Sequence, residues 1–507
     1  MPSILRLTSK ILSTITPATV TGDSAPAVTT FDMLIETTTE NESFTIACQN
    51  HGTFNATIDW GDGSTSTVTS YNDADLGHTY VSAGDHLISI SGVFPNIYMY
   101  NATPANRLKV KQVQNLGNMG WLRLNRAFHS CANMTTFVAG TCDTSGNPYT
   151  DFMFYGCTNL GSVNVSGFDT SNVTNMRAMF MRLENILFLD VSSLDTSSCT
   201  DMDQMFRQCK ALHTLNVSGF DTSNVTDMNY MFEQNHAMTS CDVSGFNTSN
   251  VADMQFMFSR CYAITSLDVT NFNTSNVTNM YAMFHEMRLI TSLDVTNFDT
   301  SNVTNLAHMF SAQSVMTSHD LSNFNTSSCT RMDRMFNRCS DLTSLDLSSF
   351  DTSNVTNMNA MFEKCYDLTS LDLSSFDTSN VTDMNSMLRE LTNMPILDLS
   401  NFDTSLVTDM WAMFYRTMNV TDIIGIENFN IEALNQTDHL QYFFSAGTLP
   451  TARYDALLIN WDAQDPLDNM ISVDFGNSTY TAGGTAAAAR ANLISTDGWA
   501  IIDGGTA

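Results

Sequence analysis

This chain is short of positive charge. Its 507 residues carry 21 Lys and Arg against 52 Asp and Glu, a formal net charge of -31 reached with only 14% charged residues. Nucleic acid and anionic membrane surfaces are excluded as partners on that ground, and cationic ligands and metal ions are favoured. Long apolar runs are missing as well. In the first residues, MPSILRLTSKILSTITPATV, Thr, Ser and Lys interrupt every stretch where a secretory core would be continuous, and nothing approaches a membrane span, so neither conventional export nor membrane insertion is expected. Catalytic signatures are absent too. There is no G-x-S-x-G, H-E-x-x-H or phosphate-cradling glycine loop, and histidines such as His213, His236, His285, His308 and His319 scatter without forming a ligand set. The expectation is a protein that is not an enzyme, with a polysaccharide-acting enzyme as the remotest alternative.

What is present is repetition. FDTSNVTDM stands at 220–228 and again at 376–384, with FDTSNVTNM at 168–176 and 350–358. An anchor aromatic recurs at Phe168, Phe220, Phe246, Phe272, Phe298, Phe324, Phe350, Phe376 and Phe402, with Leu194 in register, each step being 26 residues. A fixed period of this size is the mark of a solenoid. The register extends back to Cys142 and Leu116 and forward to Phe429 after one extra residue, giving an array over 116–441 of about twelve coils, or roughly 60 Å at ~4.8 Å per coil.

Counting the anchor as coil position 1, positions 6, 9, 12, 13 and 16 are apolar, as in Val225, Met228, Met231 and Phe232. That three-and-four spacing predicts a short helix, capped by Asn224 and with Asp227 near its positive end. Positions 22 to 24 alternate, as in Leu345-Asp346-Leu347, which predicts a strand. Stacking then puts equal letters over one another in columns. Met at positions 9 and 12 fills the core. Ten of the 11 cysteines take core positions, six of them position 16, and read as small buried hydrophobes; Cys131 with Cys157 and Cys339 with Cys365 are the neighbours able to oxidise. Thr and Ser at positions 3 and 4 suit hydroxyls bonding the corner backbone, or a flat water-ordering Thr column as a minor alternative.

Two columns carry candidate chemistry. Position 23 gives Asp242, Asp268, Asp294, Asp320, Asp346, Asp372 and Asp398. Neighbouring carboxylates about 5 Å apart repel by about 3 kcal/mol at an effective dielectric of 20, so the column calls for Ser and Thr donors, salt, or bound Ca²⁺ as a candidate ion; no other cofactor is expected. Positions 10, 11, 14, 15, 17 and 18 differ in every copy and supply Tyr230, Phe256, Tyr262, Tyr281, Arg260, Arg334, Arg338, Tyr366, Trp411 and Tyr415. A constant scaffold with one varied ridge is how solenoids present a recognition surface, and Tyr, Trp and Arg are enriched in binding hot spots. Drift of exposed positions accounts for the same variation equally well.

From position 16 onward, C-x-x-L-x-x-L-x-L-x-x-F resembles a leucine-rich repeat, and the unit with its F-D-T-S-N-V-T-x-M-x-x-M-F resembles the BspA-like, mycoplasma-lipoprotein-type surface variety. That resemblance implies an α/β, right-handed leucine-rich-repeat solenoid with a parallel β-sheet, and adhesion or recognition in place of catalysis. Residues 31–97 are β-rich, and Trp60-Gly61-Asp62-Gly63-Ser64 followed by His78-Thr79-Tyr80 resembles the polycystic-kidney-disease-type (PKD) module, implying an Ig-like β-sandwich. Residues 98–115 are expected to link and cap the solenoid, 442–507 to close its far end, and 1–30 to form an arm, a candidate anchor. The module combination is similar to a bacteriophage appendage: a tail-fibre or capsid-decorating virion protein that meets a host surface glycan or protein receptor and joins other virion proteins through its N-terminal region, as a monomer or homo-oligomer. A bacterial cell-surface adhesin is the alternative.

Overall fold

The computed structural model describes residues 30–434, 438–464 and 471–507. All but the last residue of the expected 1–30 arm lies outside the described residues.

Alternating apolar residues build the N-terminal region. In β1 (Phe31–Thr37), Phe31, Met33 and Ile35 point inward and are fully buried. It is followed by β2 (Glu42–Thr45), β3 (Asn55–Asp59), β4 (Thr65–Val68), β5 (Gly77–Tyr80), β6 (Gly84–Val93) and β7 (Val110–Asn115). One sheet has the order β4-β3-β6-β1, antiparallel throughout, and β2 pairs with β5 in another. A short helix, α1 (Pro104–Arg107), is capped by Thr103 and leads into β7. There the sheet changes character. β7 lies antiparallel to β1 on one side and parallel to β8 (Thr136–Val138) on the other, and β8 pairs in parallel with β9 (Ser162–Asn164). Residues 98–115 thus contain a strand that continues one seven-stranded sheet from β1 through β7 to β8 and β9. Gly117 follows in the left-handed region at φ 60, where a Cβ would collide with the Thr30 carbonyl.

From there the chain is a β-solenoid of about 15 turns with parallel pairing and few helices. One hydrophobic interior runs from Phe31 to Trp499. The predicted helix in each coil is not there: among the described residues the repeated coils contain no α-helix. The cause lies in where the backbone N–H groups go. In one coil, Met231 and Glu233 donate back three residues to Met228 and Tyr230 as turns do, whereas Tyr230, Phe232 and Gln234 donate to Gln255, Met257 and Ser259 of the next coil. Every second N–H is spent between coils, so no run of helical bonds can form. The turns need a left-handed residue at positions 11 and 15, and Tyr230 (φ 56) and Gln234 (φ 62) supply it without glycine. Apolar side chains three and four apart face one way in such a chain of turns as they do in a helix. Asn224 is accordingly no helix cap; its Nδ2 donates to Ser197 O of the preceding coil at 2.8 Å. Asp227 holds a turn instead, its Oδ1 accepting from Asn229 N at 2.9 Å.

The strand prediction needs a second correction. Strands at positions 21 to 23 occur near the ends of the stack, as β10 (Phe188–Asp190), β11 (Thr214–Asn216) and β12 (Ser240–Cys241), then β13 (Ile396–Asp398) and β14 (Asp422–Ile424). Leu345-Asp346-Leu347 and its neighbours form no regular strand. The ladder that does persist is at position 8, a parallel bridge from Tyr149 through Asn175, Asp201 and Asp227 to Asp409.

The columns are real. Phe154, Phe180, Phe206, Phe232 and Phe258 stack coil on coil with centroids 5.3 to 5.9 Å apart, and the anchors Phe324 and Phe350 stack at 6.4 Å. Every Thr at position 3 is at most 2% exposed, which removes the idea of a flat Thr surface there. Its hydroxyl works inside: Thr222 Oγ1 donates to Asn247 O at 2.9 Å and accepts from Asn247 N at 2.8 Å. The cysteines are free thiols, and they do more than fill space. Cys157, Cys209, Cys261, Cys339 and Cys365 each point Sγ at the carbonyl of the position 13 aromatic one coil back, at 3.0 to 3.2 Å.

At the far end, helices replace turns. α2 (Thr451–Ala463) buries Tyr454, Leu457, Leu458 and Trp461, and α3 (Gly484–Ser495) follows; β15 (Ser472–Asp474) and β16 (Ala500–Ile502) pair in parallel. The module carries on the stack, since Phe444 N bonds Asp474 O and Phe475 N bonds Ile502 O. Asp503 ties it, accepting from Tyr454 Oη and Arg490 Nε, each at 2.7 Å.

Candidate recognition surface

The varied positions 10, 11, 14, 15, 17 and 18 fall on the run of turns, where side chains of adjacent coils lie side by side. Tyr230 and Phe256 stack at 4.7 Å, Phe256 meets Tyr281 edge-on at 4.9 Å, and Tyr281 meets His308 at 5.4 Å. Arg207 closes this file by lying over Tyr230 at 4.6 Å. A second file holds Tyr262, stacked on His236 at 4.5 Å and covered by Arg288 at 4.3 Å. Arg260 lies 3.8 Å from Glu286. Tyr366 donates its hydroxyl to Glu390 at 3.2 Å. Trp411 and Tyr415 form a third group under Arg389, at 5.7 and 5.0 Å, with Tyr442 beside both. The candidates therefore form several clusters along one ridge and no single focus.

Arg207, Arg288, Arg389, His285 and His308 were not among the sequence candidates. Arg207 and Arg389 share coil position 14, so the period that exposed the others could have found them; Tyr442 escaped because inserted residues shift the register after Phe402. His308 is pushed down to about 4, first by burial and then by the neighbouring His285 and Arg334 charges. Burial also lowers His285.

The aspartate column occupies a different face. Each Asp is a turn anchor: Asp242 Oδ1 accepts from Ser244 N at 3.1 Å and Ser244 Oγ at 2.6 Å, and Thr296 serves Asp294 the same way at 3.0 and 2.7 Å. Asp268 takes both bonds from Thr270, and Asp320 both from Ser322. Side-chain and then backbone donors two residues on hold Asp242, Asp268, Asp294, Asp372 and Asp398 below the usual carboxylate range; for Asp346 the backbone N–H of Ser348 leads. The repulsion anticipated along the column persists between neighbours, and the donors within each coil outweigh it. Asp346, Asp372 and Asp398 line an open groove of about 590 Å³ with Pro395 and Ile396. Among the described residues, no group of three or more His, Cys, Asp or Glu is placed to hold a metal ion.

In the N-terminal region the Trp60 turn is a linked unit. His78 stacks on Trp60 at 5.0 Å and reaches Asp62 at 2.7 Å, while Tyr80 donates to Trp60 O at 3.0 Å. Burial opposes ionisation of Asp62, yet hydrogen bonds from Ser64 and His78 outweigh it and bring the carboxyl down to about 2.

With this geometry in hand, comparison with known proteins places the repeats. The model of the family described as Mycoplasma protein of unknown function, DUF285, matches residues 122–214, 183–291, 283–393 and 339–455. The chain belongs to this family. No curated protein matches it. Among solved structures, it is similar to a chain of the Toll–Spatzle complex of Drosophila, at 12% identity and a TM-score of 0.20, over 74% of this chain and 48% of that one. The chain thus spans about half the length of that structure.

Proposed function

We propose that this protein is a non-catalytic recognition rod whose ridge of coil positions 10, 11, 14, 15, 17 and 18 contacts a surface glycan or protein receptor. The observation that carries the reading is the division within each coil: buried columns fix the stack, while Tyr, Trp and Arg crowd the turns that face outward. In its finer form, the rod is a leucine-rich-repeat-type solenoid behind a PKD-type sandwich, acting as a tail-fibre or capsid-decorating appendage of a bacteriophage that touches the host surface, with its N-terminal region joined to other virion proteins. Ca²⁺ along the outward Asp face is an accessory candidate.

Membership in a family described from Mycoplasma favours a second reading, a bacterial cell-surface adhesin. Immunogold labelling separates the two, because the first requires the protein on purified particles and the second on the cell envelope. Recognition itself is tested by adhesion of the purified chain to intact host cells. Tyr230→Ser with Phe256→Ser is expected to weaken adhesion at unchanged fold, and unchanged adhesion would count against the ridge. Release of sugars from host polysaccharide by the wild-type chain would overturn the non-catalytic part.

A further inference from the structure

Most ridge arginines are already engaged. Arg207, Arg260, Arg288, Arg331 and Arg389 each have a carboxylate within ion-pair distance. Arg334 and Arg338 have neither an ion pair nor a side-chain hydrogen bond among the described residues. Both line one cleft, and the sequence explains why a cleft is there.

Coil positions 14 to 17 read SAQS at 311–314, whereas the flanking coils read HEMR at 285–288 and NRCS at 337–340, followed by EKCY at 363–366. Small residues in one rung leave two adjoining hollows of about 440 and 260 Å³ that share Glu286, Ala312 and Arg338. The larger falls in the ~300–1,000 Å³ range of small-ligand sites. Four cations line the pair of hollows (Arg288, Arg334, Arg338 and Lys364) against two carboxylates, Glu286 and Glu363. Both carboxylates are occupied, Glu286 by Arg288 at 2.9 Å and Glu363 by Lys364 at 3.0 Å, so the uncompensated charge belongs to the two free guanidiniums. His285 Nδ1, on the same wall, is buried without a hydrogen-bond partner. At the rim Tyr366 is 36% exposed and offers a ring face.

We infer that this cleft binds an anionic sugar unit, a sulfated or carboxylated saccharide, with Arg334 and Arg338 clamping its oxoanion and Tyr366 lying against its ring. The inference rests on the recognition reading and names the ligand class for one part of the ridge. It runs against the preference for cationic ligands drawn from composition, because at physiological salt charges beyond about 8 Å are largely screened and the local balance decides what enters. A guanidinium pair matches an oxoanion in geometry as well as charge. A pocket this small, with an aromatic rim, suits a sugar better than a folded acidic protein.

Titration calorimetry on the full chain at about 0.15 M salt tests it, with sulfated maltotetraose, tetragalacturonate, plain maltotetraose, inorganic sulfate and tetraglutamate as probes. Arg334→Gln with Arg338→Gln keeps the fold, because Gln204 holds coil position 11 and Gln208 and Gln234 hold position 15 elsewhere, all with φ between 60 and 62. At least one charged saccharide should bind, plain maltotetraose should not, and the double variant should bind about tenfold more weakly or worse. Arg182→Gln, at position 15 beside Glu184, should leave binding unchanged. Four results would overturn the proposal: no binding of either charged saccharide, equal binding by the double variant, tetraglutamate binding more tightly than both sugars, or sulfate alone binding as well as the sulfated sugar. Cell adhesion measured in parallel separates the two claims. Adhesion lost on Tyr230→Ser with Phe256→Ser while charged sugars fail to bind sinks the cleft and spares the ridge; adhesion indifferent to ridge substitutions sinks the reading beneath it.

Discussion

The corner of each coil and its ridge share one backbone period but answer to different constraints. At the corner, position 3 Thr is donor and acceptor to the coil above, position 5 Asn or Ser bonds a carbonyl in the coil below, and position 13 Phe stacks on its own copies. A change there disturbs three coils. On the ridge, a regular set of backbone N–H groups bonds coil to coil whatever the side chain, so positions 11 and 15 accept Ala, Gln, Tyr, Phe, His, Ser, Arg, Lys or Glu at the same left-handed φ. Repetition in the sequence therefore marks where side chains carry the stack, and variety marks where the backbone does.

The sharpest way to break this comparison is to cut a corner column. Phe336→Ala removes a ring stacked between Phe310 at 5.9 Å and Phe362 at 5.8 Å and should cost about 3–5 kcal/mol in urea unfolding. Thr352→Val leaves Asp377 N and Asp377 O without their 2.8 Å partner, and about 2 kcal/mol should be lost in the same measurement. His319→Leu should do the reverse. His319 stands in the column of Leu at position 22, with both ring nitrogens buried and unpartnered, so the leucine restored there should stabilise by about 1–2 kcal/mol.

That same residue sets a pH dependence. Burial brings His319 from 6.5 to about 4, so the unfolded chain binds the proton more readily. Stability should then be fullest above 6.5 and decline as pH falls from 6.5 toward 4. His319→Leu should flatten part of that slope in thermal melts taken across the window. By contrast, Arg334→Gln on the ridge should change stability by less than about 0.5 kcal/mol. Smallest of all, Ca²⁺ should barely move the melting temperature, since Ser and Thr donors already satisfy the Asp column; a rise of several degrees would make the ion a structural part of that face.

Much of this was legible in the letters. The period, the inward columns and the outward ridge follow from counting, because side chains of equal register must meet. The helix was misread because Val225, Met228, Met231 and Phe232 report only which way side chains face, and a chain of turns faces them as a helix does. Nothing in those letters tells whether Phe232 N bonds within its own coil or reaches Met257. Likewise Cys at position 16 reads as a hydrophobe until the phenylalanine carbonyl it serves is seen. The cleft at 311–314 was hidden for another reason: it exists by contrast with adjacent rungs, while each residue was weighed within its own column.

β7 is also a mechanical element. Its hydrogen bonds face β1 on one edge and β8 on the other, and Lys111 adds an ion pair to Glu36 at 2.7 Å. A pull on the N-terminal module would load those rows of bonds in parallel, as shear, with no slack tether to stretch first. A tug on one module would therefore reach the other with its direction kept.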